Sequence, residues 1–158
     1  MSSNNPTRRA VIQGALASTA LFASPVFAQS APSIHIVKDP NCGCCTDWAR
    51  ILYSNGFDVT LEHMDNSVLA RLKRLKGIPQ DMTSCHTAEI EGYVIEGHVP
   101  VADILRLLEL RPDAVGLTVP DMPYGAPGMG DESDRDEYSV YLIHKDGSTE
   151  VFSHYPGA

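Results

Sequence analysis

Basic side chains are scarce in this 158-residue chain: 12 Lys+Arg stand against 20 Asp+Glu, for a formal net charge of −8. That deficit excludes the commonest design of a nucleic-acid binder, whose affinity for a polyanion comes from Lys and Arg displacing counterions. Nowhere do about 20 uninterrupted apolar residues occur, so no segment reads as an ordinary membrane-spanning helix. A phosphate-binding glycine loop, a Ser-His-Asp set and a catalytic pair of carboxylates are all missing, and there is no internal repeat. Tryptophan occurs once, at Trp48, and cysteine four times. With 43% hydrophobic residues the chain has enough apolar content for one compact domain and too much for a disordered one. The cysteines are distributed unevenly: Cys42, Cys44 and Cys45 fall within four residues, and Cys85 lies far along the chain.

Residues 1–28 read as an export signal. They contain no Asp or Glu, carry Arg8-Arg9 ahead of a weakly apolar stretch from Ala10 to Phe27, and finish Val26-Phe27-Ala28. Paired arginines before a modest apolar segment favour twin-arginine export, so the expected location is the periplasm, after cleavage behind Ala28. No stable membrane insertion is then expected. The remaining domain, 29–158, has 130 residues and keeps all four cysteines. In an oxidising compartment an even cysteine number suggests disulfides. Here a bridge inside the cluster would close a very small loop with little gain in chain entropy, which weakens a purely structural reading.

The mature chain alternates between elements. Ile34–Val37 reads as a short buried strand, and Trp48, Ala49, Ile51 and Leu52 recur at helical spacing over about 44–55, with Gly56 as a left-handed cap. Phe57, Val59 and Leu61 alternate with polar residues as in a half-buried strand. Asn66 caps a second helix whose apolar stripe is Val68, Leu69, Leu72 and Leu75. Ser84–Ile90 and Tyr93–Ile95 pair as a hairpin through Glu91-Gly92, and a third helix runs from Pro100 to Arg111-Pro112. The order β-α-β-α-β-β-α predicts a mixed sheet flanked by helices. Residues 116–130, with four Gly and three Pro, read as a loop unable to join a central strand. An acidic, solvated run at 131–137 follows, and a closing hairpin pairs 138–144 with 149–155 through Lys145-Asp146-Gly147-Ser148.

Cys42 and Cys45 stand in C-x-x-C spacing at a strand-to-helix junction, the position of the redox dithiol in thioredoxin-like proteins. Unpaired N–H groups at the helix start favour thiolate there. Cys44 sits awkwardly inside a clean two-electron dithiol cycle. Clustered thiolates are better explained as soft ligands, which select Cu(I) and, less specifically, Zn(II). In a thioredoxin-like topology the segment entering the third strand passes the first helix's N-terminus, so Cys85 is expected to complete a four-sulfur set. Strand alternation directs His86 away from Cys85 and makes it a poor ligand. Met122 and Met129 are candidate auxiliary thioether ligands, and His98 is a candidate auxiliary ligand. Trp48 reads as a core anchor.

The ordered motifs Cys42-Gly43-Cys44-Cys45, Ser84-Cys85-His86-Thr87, Glu96-Gly97-His98-Val99-Pro100 and Val119–Met129 resemble the exported CopG-type copper-associated proteins. This family is catalogued as a domain of unknown function and is distinct from the ribbon-helix-helix repressors of the same name. The resemblance spans about Ile34 to Tyr155. It implies a thioredoxin-like α/β fold with an added C-terminal hairpin, a copper–thiolate site on Cys42, Cys44, Cys45 and Cys85, and a role in copper resistance. Copper ions are the implied ligand, and other periplasmic copper-handling proteins the implied partners. Asp121 departs from the family pattern, which favours a small residue there, often Gly. The alternative from a different class is a thiol-disulfide oxidoreductase using Cys42 and Cys45.

Overall fold

The computed structural model describes residues 31–158, so the signal expected at 1–28 lies outside the described residues. Ten elements follow one another: β1 (Ser33–Lys38), α1 (Gly43–Ser54), β2 (Asp58–His63), α2 (Asn66–Leu75), β3 (His86–Ile90), β4 (Tyr93–Glu96), α3 (Val101–Leu110), β5 (Gly116–Thr118), β6 (Tyr138–Ile143) and β7 (Thr149–Tyr155). Single 3-10 turns at Gln80–Met82 and Glu132–Asp134 interrupt the connections. The strands form one seven-stranded sheet in the order β2-β1-β3-β4-β5-β6-β7. β1 and β2 run parallel around α1, and β3 runs antiparallel to both β1 and β4. This is the thioredoxin-like arrangement, extended at one edge by β5 to β7.

Side-chain alternation along the strands builds two cores. Ile34 and Ile36, Ala88 and Ile90, Ile95, Leu117, Val140 and Leu142 pack with Trp48, Ala49 and Leu52 of α1 and Ile104 and Leu107 of α3. The opposite face carries the smaller group Ile78, Val94 and Ile143. It also carries Thr87 and Glu96, which Lys73 of α2 meets from above. Trp48 is fully buried, and its indole N–H donates to the Val99 carbonyl at 2.9 Å, tying α1 to the entry of α3. Such an anchor combines a large apolar ring with a satisfied donor.

Three local expectations need correction. Gly116–Thr118 is a strand in the interior of the sheet, parallel to β4 and antiparallel to β6. Leu117 and Thr118 supply its buried side chains, and the break in regular structure begins only after Thr118. Glycine is required at its start, because a Cβ on Gly116 would lie 1.8 Å from the Val94 carbonyl oxygen. Second, β2 is an edge strand and mostly exposed, Leu61 included, so its apolar alternation is not matched by burial. Third, the cap of α2 is Asp65, and Asn66 is the first helical residue.

The added hairpin is stitched down by polar contacts from α3. Buried Asp103 accepts from the hydroxyls of Ser153 and, at 2.7 Å, Tyr155. Arg106 stacks 3.8 Å above the Phe152 ring centroid and donates to the Phe152 carbonyl. Among the described residues, no helix is long and apolar enough to cross a membrane.

Gly116→Ala is expected to destabilise the protein by about 3 kcal/mol or more, since backbone must move to admit the methyl group. Urea unfolding followed by Trp48 fluorescence measures this. A loss below about 0.5 kcal/mol, the range of an ordinary surface substitution, would show that β5 is not held as described.

Candidate metal centre

The site forms where the end of β1 meets the start of β3. Lys38 lies opposite His86 in the antiparallel register, so the loop leaving β1 and the residues entering β3 are neighbours. The Lys38 side chain is buried, and its ammonium donates to the Asp39 carbonyl at 2.9 Å and the Pro40 carbonyl at 3.4 Å. Asp39 in turn accepts from the backbone of Asn41 and Cys42. The turn therefore delivers Cys42 to the cap position of α1, where its sulfur accepts from the Cys45 N–H at 3.3 Å.

Cys42 and Cys45 are joined as a disulfide, while Cys44 and Cys85 are free. The sulfurs of Cys42, Cys44, Cys45 and Cys85 all lie within 4.8 Å of one another. The fourth sulfur thus meets the first three, as the thioredoxin-like topology predicts. Burial and the nearby Cys44 push the Cys85 thiol up to about 12. Without a cation to neutralise it, a thiolate here is strongly disfavoured.

The neighbours of Cys85 hold it in place. Glu96 is fully buried and accepts from the Ser84 N–H at 2.6 Å and from the Thr87 hydroxyl at 2.7 Å, gripping the chain on both sides of Cys85. Lys73 from α2 completes the knot with an ion pair to Glu96 and a 3.0 Å bond to Thr87. Burial pushes the Glu96 carboxyl up, against the opposing pull of the Lys73 ammonium. Gly97 follows directly; a Cβ there would stand 2.5 Å from the Val119 carbonyl and 2.6 Å from Ser84.

Two histidines converge on the same sulfur. His86 Nδ1 is 3.3 Å and His98 Nε2 3.2 Å from Cys85 Sγ. This corrects the expectation for His86. Cys85 sits in a bend just before β3 rather than within it, so strand alternation does not separate the two side chains. The His86 ring packs tilted against Trp48 and edge-on to His98, with ring centroids at 4.4 and 5.0 Å. His98 lies beside the sulfur from the segment just before α3. Its Nδ1 donates to the Pro127 carbonyl at 2.8 Å, which leaves the Nε2 lone pair directed at Cys85. Burial lowers both imidazoles; for His86, neighbouring His98 and the Lys73 ammonium add to it, whereas for His98 the Pro127 bond opposes it.

The two methionines part company. Met129 packs against the main core, whereas Met122 is exposed and lines a cavity of about 640 Å³ with Asp39, Cys42, Cys44, Lys73 and Cys85. The loop that carries them approaches α1 so closely that a Cβ on Gly128 would lie 2.8 Å from the Trp48 nitrogen and 3.1 Å from the Cys44 carbonyl. Its service to the site is to bring up Pro127. Asp121 adopts a left-handed conformation at φ 60°, which explains why this position suits glycine.

Comparison with known proteins places this geometry. A solved structure described as "Copper resistance protein copG- Form 1" matches with a TM-score of 0.74 and 45% sequence identity, over 79% of this chain and 98% of the other. A second, "Copper resistance protein copG- Form 2", matches with a TM-score of 0.74 and 44% identity, over 80% of this chain and 99% of the other. The chain belongs to the CopG copper resistance family. A family model described as "Protein of unknown function, DUF411" matches residues 82–129. That segment holds Cys85, both site histidines and the glycine-rich loop, but not the Cys42–Cys45 cluster. No curated protein matches. Within this CopG-family chain, the sequence reading set His86 aside and missed the positioning residues Lys38, Lys73 and Glu96; the signal that could have retained His86 is its adjacency to a cysteine in Ser84-Cys85-His86-Thr87.

The buried neutral imidazoles set a pH dependence for the metal-free protein. The unfolded chain takes up these protons near pH 6.5, whereas the folded chain resists them. Stability is therefore fully present above about pH 6.5 and falls as the pH drops below it, by up to about 1.4 kcal/mol per pH unit for each histidine. Urea unfolding at a series of pH values should show this slope, and His98→Gln should reduce it by about half. A profile flat down to pH 5 would contradict the burial described.

Proposed function

We propose that this protein is an exported, periplasmic copper-binding protein that holds Cu(I) in thiolates of Cys42, Cys44, Cys45 and Cys85, and that it contributes to copper resistance and homeostasis. The observation that carries this reading is the approach of all four sulfurs to within 4.8 Å of one another. Soft thiolates favour Cu(I), and bridging sulfurs let a small set of ligands hold more than one ion. Four thiolates would place four negative charges in a half-buried pocket of an already acidic protein, a cost that bound cations remove. The names of the two copG structures support the same metal. The paired arginines and the weakly apolar segment ahead of Ala28 support export.

The Cys42–Cys45 bond makes the site redox-linked. Two electrons and two protons from a thiol reductant open it to two thiols, and metal binding then releases the thiol protons. Closing the bond passes two electrons to an incoming disulfide oxidant, which leaves as two thiols after taking up the two protons, and withdraws two of the four ligands, so oxidation and metal release are coupled. The same bond supports the second reading, a thiol-disulfide oxidoreductase with Cys42 and Cys45 as its dithiol. The readings differ on Cys44, which is a ligand in the first and a bystander in the second.

Anaerobic Cu(I) titration of the reduced mature chain, with a competing chromophoric chelator, separates them. Cys44→Ser combined with Cys85→Ser is expected to lower the stoichiometry and weaken binding by at least about ten-fold, and an unchanged stoichiometry would sink the metal reading. Conversely, Cys44→Ser should leave disulfide reductase activity almost intact if the dithiol is the working part.

A further inference from the structure

We infer that the outer face of α2 is a docking surface beside the mouth of the cysteine cavity, and that its occupant is an acidic protein. That protein presents an apolar residue flanked by carboxylates, next to a sulfur of its own that reaches the cysteines. The inference rests on the proposed function only in that the sulfurs exchange metal or electrons with another protein; the surface itself is argued without a metal.

The first support is unpaired charge. Asn66 to Gln80 holds Arg71, Lys73, Arg74 and Lys76 and no Asp or Glu, in a chain whose net charge is −8. Lys73 and Lys76 are paired with Glu96 and Glu89. Every Lys and Arg outside this helix is likewise engaged, by a carboxylate or a backbone carbonyl, among the described residues. Arg71 and Arg74 alone are exposed with no ion-pair or hydrogen-bond partner among the described residues. Standing at i and i+3, they share one side of the helix. An acidic fold that pairs its other cations and leaves these two open steers a negatively charged molecule to them.

The second is place. Arg74 lines the same cavity as Cys42, Cys44, Cys85 and Met122. The positive patch therefore begins at the rim through which the sulfurs are reached.

The third is exposed apolar area on the same helix. Val68 and Leu75 are 50% and 74% exposed, and with half-buried Leu72 they fall at i, i+4 and i+7, a single stripe. Leu69 and Lys73 supply the buried side of the helix, so this second stripe is not what seats α2 on the sheet. Arg71 is a helical neighbour of both Val68 and Leu75. Met122, on the cavity wall, is 54% exposed. Apolar side chains bordered by arginine are the composition of protein interfaces, where arginine is enriched and lysine depleted. An anionic membrane fits less well: it is held by clusters of about four to eight basic residues, and it repels the net charge of this chain.

Capped peptides Glu-Leu-Cys-Leu-Glu, Lys-Leu-Cys-Leu-Lys and Glu-Ser-Cys-Ser-Glu are the probes, applied to the disulfide-bonded protein. The peptide thiolate attacks one sulfur of the Cys42–Cys45 bond, forms a mixed disulfide with it and expels the other as thiolate, so no further oxidant or reductant is consumed. Acid quenching and mass spectrometry give the initial rate. Comparing rate ratios between proteins cancels the intrinsic reactivity of each peptide. The ratio of the acidic to the basic leucine peptide is expected to be at least about ten-fold higher for wild type than for Arg71→Glu/Arg74→Glu. Arg71→Gln/Arg74→Gln should fall between them, and it decides the matter if the glutamate pair fails to fold. The differences should close at about 1 M salt, where the Debye length is about 3 Å. Leu75→Ser should slow the leucine-flanked acidic peptide by at least about three-fold and leave the serine-flanked one unchanged. Equal ratios in wild type and variants, a Leu75→Ser effect shared by both acidic peptides, or a bond that no peptide opens would overturn the proposal. So would co-sedimentation of wild type, but not of Arg71→Glu/Arg74→Glu, with phosphatidylglycerol vesicles, which assigns the face to lipid. Normal Cu(I) stoichiometry without the charge ordering removes the docking surface and leaves the four-cysteine reading standing. Charge ordering in a protein that binds no Cu(I) supports the surface and removes that reading alone.

Discussion

The pairing of β1 with β3 is the constraint on which the rest of the molecule depends. Placing Lys38 across from His86 puts the exit of one strand beside the entrance of another that runs the opposite way. The cysteine-bearing turn and helix leave from the first, and the Ser84–Cys85 segment arrives at the second. Shifting that register by one residue would invert every side chain of β3, sending His86 to the α2 face and Thr87 into the main core. The apolar residues Ile34, Ile36, Ala88 and Ile90 forbid the shift, because all four are buried on one face. Sheet hydrophobicity thus sets the position of the sulfurs before any metal is involved.

Much of the architecture was legible because its signals are local. The helical spacing of Trp48, Ala49 and Leu52, the Glu91-Gly92 turn and the Lys145–Ser148 turn each announce an element without reference to the rest of the chain. The four cysteines were legible as a set because the alternation of elements implies a thioredoxin-like path, and that path carries Cys85 back to α1. What stayed hidden depends on contacts across the sheet. β5 escaped notice since Gly116 reads as a breaker, whereas its missing side chain is what lets two backbones meet beside Val94. β2 looked half-buried because alternation says which side chains share a face and not whether anything covers that face. His86 was misjudged through a two-residue difference in where the strand begins, the least certain feature of any strand assignment. The Lys73–Glu96 pair gave no signal at all; the four helical positions at 71–76 that carry positive charge look alike, and only the tertiary fold draws Lys73 inward.

That ion pair shows how the fold treats charge near its reactive sulfurs. Buried ion pairs seldom add much net stability, since desolvation offsets attraction, but removing one partner alone is costly. Here the pair is embedded in hydrogen bonds from Ser84 and Thr87, so its contribution is positional. Lys38 plays the matching part on the other strand through backbone carbonyls. Polar anchors within the protein thus hold Cys85 and the turn leading to Cys42, in addition to the Cys42–Cys45 bond.

The seating of Gly128 against the first turn of α1 closes one flank of the cluster, and the opening lies on the other, between Cys44, Cys85, Met122 and the residues of α2. Whatever reaches Cys44 and Cys85 through this cavity passes Met122 and the α2 side chains Asn66, Leu69 and Lys73, so that rim is the first surface an approaching molecule touches.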